Sequence, residues 1–214
     1  MPESHAVAAH QFDDLEQQQE ASSLGIWVFI ATEIMFFGGL FTGYTVYRTQ
    51  YFPSFVAGSH LLDLKLGAFN TAVLIGSSLT MALAVYAAQT GKRRALVVFL
   101  ILTMILGSMF LGIKFSEYAT KYEHHLIPGI RFAPEGAYPP QMELYFSFYF
   151  AMTALHALHM IIGLGLLAVL VGMAARGRFS PESHNPVEVI GIYWHFVDIV
   201  WIFLFPLLYL VGGR

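Results

Sequence analysis

The residues of this chain that can do chemistry stand inside long apolar runs. Glu33 occupies the middle of one that reads LGIWVFIATEIMFFGGLFTGYTVYR from Leu24 to Arg48. A carboxyl group there has two uses. It can hydrogen-bond across a helix interface in its protonated form, or it can take part in proton handling. His156 and His159, in ALHALHMII, are three residues apart and share one helix face. That spacing suits ligation of a metal or a haem, and it equally suits hydrogen bonding between helices. A metal site would need further ligands from Glu33, His195 and Asp198. No Glu-x-x-His pattern of the carboxylate-bridged di-iron kind accompanies them, which favours the hydrogen-bonding role.

His195 and Asp198 are also one turn apart, so the acid can hold the imidazole in one orientation. Lys114 and Glu117 share a face and can pair, but Lys114 is near a helix end, where snorkelling to the headgroups is favoured. Arg176 and Arg178 flank Gly177, with His184 a little further on, and form a small cationic cluster. Such a cluster can be a positive-inside topology signal, a phospholipid-headgroup site, or both. Gly39 and Gly43 form a small-xxx-small pair that lets another helix approach. Trp194, Trp201 and Tyr209 read as packing or interface anchors.

These side chains need elements that carry them through an apolar medium. Of the 214 residues 57% are hydrophobic and only 12% charged. Soluble domains carry about 25% charged residues, so the chain reads as a membrane protein. Apolar stretches recur at about 24–48, 66–88, 95–118, 144–175 and 187–211. Each is long enough to cross roughly 30 Å of hydrocarbon as a helix, the form that satisfies its own backbone in lipid. The expected fold is therefore all-α, a polytopic bundle of five transmembrane helices over 24–214. An acidic N-terminal tail, with Asp13, Asp14, Glu16 and Glu20, occupies 1–23. It has neither the basic start nor the early apolar core of a cleavable signal peptide. Pro206 lies inside the last span and is expected to kink or loosen it. The third connection, with Pro128, Pro134, Pro139 and Pro140, is expected to be irregular.

Net charge is −3, which gives nucleic acid no basic patch, and cysteine is absent, which removes disulfides and thiolate metal sites. Lys92, Arg93, Arg94, Arg176 and Arg178 fall in two short loops on one side, against Arg48, Lys65, Lys121, Arg131 and Arg214 opposite. Their closeness to helix ends places the N-terminus in the cytoplasm and the C-terminus outside.

Five segments, in order, resemble subunit III of the haem–copper cytochrome c oxidases. They are Ile30-Ala31-Thr32-Glu33-Ile34-Met35-Phe36-Phe37, Phe69-Asn70-Thr71-Ala72-Val73-Leu74, Phe115-Ser116-Glu117-Tyr118, Leu155 to Gly163, and Tyr193-Trp194-His195-Phe196-Val197-Asp198-Ile199-Val200-Trp201. The resemblance covers nearly everything after the tail and is to the five-helix bacterial form. It implies a non-catalytic subunit of the aerobic respiratory chain, set in the bacterial inner membrane with its C-terminus in the periplasm. Such a subunit binds no haem or copper itself. Those cofactors belong to the catalytic subunit I, its main contact, with subunit II and small subunits as further partners. The resemblance also implies bound structural phospholipid and support of proton uptake and stability. Glu33 matches the family's carbodiimide-reactive carboxyl, and Arg176 or Arg178 its headgroup arginine. The two N-terminal helices of seven-helix members have no counterpart here. Other readings of the same residues are a subunit-III-like protein of a nitric oxide reductase system, a stand-alone proton conductor using Glu33, and a haem-b protein using His156 or His159 with His195.

Overall fold

The computed structural model describes residues 12–129, 132–133, 139, 141–181 and 183–213. Arg131, Arg214, Pro134, Pro140 and the first 11 residues of the tail lie outside them. The described residues form six helices: α1 (Leu15–Gln50), α2 (Phe52–His60), α3 (Leu64–Gln89), α4 (Arg93–Glu123), α5 (Met142–Ala175) and α6 (Asn185–Tyr209). All but α2 are long and apolar enough to cross a membrane. The all-α polytopic fold expected from hydropathy is the one observed.

Boundaries differ from the apolar runs where caps lie outside them. α1 begins nine residues before Leu24, because Asp14 accepts the Gln17 amide at 2.7 Å and Gln17 Oε1 accepts the Asp13 amide at 2.8 Å. Two side-chain bonds to backbone amides at the first turn start a helix in polar sequence, so the end of the acidic tail is helical. α4 runs on to Glu123, into the connection expected to be irregular. The short α2, with Pro53 in its first turn, fills the first connection. Asp63 caps α3 by accepting the Leu66 amide at 3.0 Å.

Both short loops on one side close by the same device. Lys92 and Gly91 donate to the carbonyls of Ala87 and Ala88, while Arg178 and Gly177 donate to those of Met173 and Ala174. This double bond after a helix needs a left-handed residue, and Gly91 and Gly177 supply it with φ of 67° and 72°.

α3, α4, α5 and α6 form a closed four-helix ring in which α6 also touches α3. α1 lies outside it, against α5 and α6, and α2 packs on α5, α6 and α1 at one end. The ring closes tightly around Trp194, which is fully buried. A Cβ on Gly107 of α4 would stand 2.8 Å from its indole, and one on Gly163 of α5 2.9 Å away. By contrast, the Gly39–Gly43 pair brings no helix close within the described residues. Gly39 faces open space and Gly43 meets only the Phe148 ring.

The carbonyls at the end of α6 are satisfied from three directions. Tyr44 of α1 donates to Leu207 O at 2.5 Å, Tyr145 of α5 to Leu208 O at 2.8 Å, and Ser59 of α2 to Tyr209 O at 3.3 Å. These bonds replace partners that a helix end would otherwise take from water. Trp194 and Trp201 act in packing, not as interface anchors: their indole N–H groups donate to Ser77 and Thr71 of α3, each at 3.0 Å.

Candidate functional site

Glu33 and His159 meet where α1 leans on α5. Glu33 Oε2 lies 3.2 Å from His159 Nε2, with the two side chains 19% and 10% exposed. The other ring nitrogen, Nδ1, is 2.9 Å from Leu155 O. A carbonyl only accepts, so Nδ1 carries hydrogen. Nε2 then either accepts from a protonated Glu33 or donates to its carboxylate. In both forms a proton sits between the carboxyl and the imidazole. The Tyr193 hydroxyl donates to His159 O at 2.9 Å, and the Phe37 ring packs 5.6 Å from the imidazole. Three helices thus fix the His159 imidazole against the Glu33 carboxyl near the middle of α1.

His156 differs from its neighbour. It is 1% exposed, and neither ring nitrogen has a hydrogen-bond partner among the described residues. Its ring sits between Phe110 at 5.4 Å and Trp201 at 5.1 Å. The hydrogen-bonding role expected for it is not observed, because α4 and α6 present aromatic rings to that turn of α5. His195 also departs from expectation. Its Nδ1 bonds Ser78 Oγ of α3 at 2.7 Å, and both Asp198 oxygens lack a partner. The acid does not hold the imidazole, since a hydroxyl from the neighbouring helix reaches it instead. His156, His159 and His195 each face different partners, and no group of three His, Cys, Asp or Glu that could hold a metal occurs among the described residues.

Glu117 belongs to a second buried cluster. Lys114, 2% exposed, does not snorkel; its ammonium donates to Glu117 at 2.9 Å, Tyr209 at 3.0 Å and Tyr149 at 3.1 Å. The Tyr209 hydroxyl in turn donates to both Glu117 oxygens, at 2.8 and 2.9 Å. α5 and α6 cover this stretch of α4, so a lysine that seemed close to the headgroups is enclosed by phenols.

Arg176 and Arg178 are exposed at the end of α5. His184 is partly buried and bonds Glu188 at 3.0 Å, which also accepts from Gln89 at 2.7 Å. Sequence reasoning assigned Arg93 only to the charge pattern. Its guanidinium donates to the carbonyls of Ala174, at 3.1 Å, and Ala175, closing the end of α5 from the start of α4. Tyr149, whose hydroxyl completes the Lys114 cluster, was also missed; an aromatic in an apolar run carries no signal of its own. On the outer side, α1 and α6 bound an apolar groove of about 580 Å³ that reaches from Trp27 to Phe41 along α1, with His195 at its edge.

Residues 6–213 match the protein family described as Cytochrome c oxidase subunit III. The chain belongs to that family. As a subunit III of a haem–copper oxidase it is a multi-pass membrane protein of a complex in which subunit III associates with subunit I. Among the relatives of this subunit III is a probable quinol oxidase subunit 3 of Staphylococcus haemolyticus. It is 29% identical over 203 residues, covering 94% of each chain. The cytochrome bo(3) ubiquinol oxidase subunit 3 of Pseudomonas aeruginosa is 28% identical over 100% of this chain and 95% of its own. The quinol oxidase subunit 3 of Bacillus subtilis is 28% identical over 97% of each.

Proposed function

We propose that this subunit III serves an oxidase of the aerobic respiratory chain whose electron donor is a membrane quinol. On this reading it binds phospholipid and supports proton uptake by the catalytic subunit. The names of its relatives favour a quinol over the cytochrome c suggested by the family resemblance. Its membrane is the bacterial inner membrane, with the N-terminus in the cytoplasm. Subunit I supplies haem and copper, and subunit II and small subunits complete the assembly.

The observation that carries the proton part of the reading is the Glu33 carboxyl set 3.2 Å from the His159 imidazole, an arrangement that can hold a proton. Glu33 remains partly accessible from the outer side of α1, so that proton can exchange with a neighbouring subunit or a lipid-side water. The lipid part rests on position. α1 and α6 run in the same direction, and their N-terminal ends lie on the membrane side that carries Arg176 and Arg178. A phosphate held by those guanidinium forks would place an acyl chain along the apolar groove.

The test is purification of the chain with its partner subunits. A complex that contains a haem–copper subunit and oxidises quinol but not reduced cytochrome c is the expected result; the reverse preference returns the donor to cytochrome c. In the assembled enzyme Glu33→Gln should change the pH dependence of turnover or the rate of inactivation during turnover. Kinetics unchanged across pH would leave Glu33 a structural role. Arg176→Gln with Arg178→Gln should lower the phospholipid retained per complex.

A further inference from the structure

One side chain of α6 touches both helices that carry the Glu33–His159 pair. Tyr193 is buried, and its hydroxyl donates to His159 O at 2.9 Å. Its ring lies 5.9 Å from that of Phe29, which stands on α1 one turn before Glu33. Tyr193 therefore reaches α5 through the backbone of the histidine and α1 through the turn that precedes the acid. α1 is the least enclosed of the spans, so few contacts set its distance from α5 at this depth.

A carbonyl inside a helix accepts the amide four residues on and keeps a second lone pair. Helical side chains lie over the turn N-terminal to their own Cα, so a side chain at position 163 would cover the carbonyl of His159. Gly163 leaves it open. A Cβ there would stand 3.2 Å from Tyr193 Cε1, in addition to its 2.9 Å approach to the Trp194 indole. This glycine thus has two uses: it admits Trp194, and it uncovers His159 O for a hydroxyl from α6. His159 is then held at two points, its ring by Leu155 O through Nδ1 and its carbonyl by Tyr193. The ring bond alone orients the imidazole on α5 but says nothing of how far α1 stands from it. At 3.2 Å the Glu33–His159 contact is already at the long end of hydrogen bonding, so a small retreat of α1 would open it.

We propose that Tyr193 is the positioning residue of the Glu33–His159 pair: it sets the distance between carboxyl and imidazole through the His159 carbonyl on one side and Phe29 on the other. The assignment rests on the proton reading of that pair, and it extends the site from α1 and α5 to α6.

Solid-state magnetic resonance of the full chain in lipid vesicles, with carbon-13 in the glutamate carboxyls and nitrogen-15 in the histidine rings, reads that distance. The His184–Glu188 pair, at 3.0 Å and remote from Tyr193 in the fold, gives an internal reference. Glu33→Gln identifies the Glu33–His159 signal by removing it. Tyr193→Phe keeps the ring against Phe29 but lacks the hydroxyl, and should lower that signal roughly twofold or more against the reference as the carboxyl leaves hydrogen-bond range. Gly163→Ala, which keeps the hydroxyl but blocks its approach, should do the same. In the assembled oxidase, Tyr193→Phe should reproduce the change in the pH dependence of turnover that Glu33→Gln produces. An unchanged signal ratio in Tyr193→Phe overturns the proposal and leaves the pair standing. A parent chain without the Glu33–His159 signal overturns both. A lowered ratio in an enzyme whose turnover ignores Glu33→Gln upholds the positioning and refutes the proton reading.

Discussion

Replacing Lys114 by methionine should be among the most damaging single changes in the bundle that leave its shape intact. The ammonium uses all three of its N–H groups, on Glu117, Tyr149 and Tyr209. The rings of Tyr118, Tyr149, Trp201 and Tyr209 lie between 5.0 and 5.6 Å from it. Methionine fills similar space but leaves the Glu117 carboxylate, in a residue 6% exposed, without its cation. Breaking a buried pair on one side costs about 3–5 kcal/mol. Glu117 keeps the Tyr209 hydroxyl and can take up a proton, so the lower end of that range is expected. About 3 kcal/mol raises the unfolding equilibrium constant roughly 150-fold. The double variant Lys114→Met with Glu117→Leu removes both charges and should recover to within about 1 kcal/mol of the parent. Denaturant unfolding in mixed micelles, run as a double-mutant cycle, gives both numbers. A single-variant cost below about 1 kcal/mol, the range of exposed pairs, or strictly additive effects, would refute the reasoning.

Gly107→Ala should lower stability by about 1–3 kcal/mol through overpacking against Trp194. Combined with Gly163→Ala, its effect should be less than additive in thermal unfolding, because both press on one ring. Tyr44→Phe removes the donor to Leu207 O and should cost about 0.5–1.5 kcal/mol, with faster amide exchange confined to the last turn of α6 and to α1. Arg93→Gln should speed amide exchange at residues 176–178 while leaving the spans unchanged, since it uncovers the end of α5.

The five spans were legible because a backbone in lipid must close its own hydrogen bonds, and only long apolar runs do so. The glycines after α3 and α5 and the acids before α1 and α3 mark ends by local chemistry of the same readable kind. Facing was not legible. In a soluble helix polar residues mark the outer side, but here lipid and bundle interior are both apolar, so the runs carry little periodic signal. Glu33 and His159 each stood out as polar residues at depth, yet nothing in their spacing revealed that α1 and α5 bring them together. Lys114 was misplaced for a related reason. Its distance from the helix end suggested headgroups, and the cover supplied by Tyr149 and Tyr209 comes from residues 35 and 95 positions away. α2 escaped notice because nine residues of mixed polarity are too few to raise hydropathy above that of a loop.

The indole wedged between Gly107 and Gly163 has an effect beyond filling space. Successive side chains on a helix are turned by about 100°, so anchoring one of them fixes the azimuth of all the others. With Trp194 driven toward the bundle axis, Asp198 follows it inward one turn later and His195 is swung to the rim, where Ser78 meets it. A methyl group added at either glycine would therefore act as a rotational lever on α6 and pull polar partners out of line without touching them. In this bundle the two smallest residues set the compass bearing of the ionisable ones.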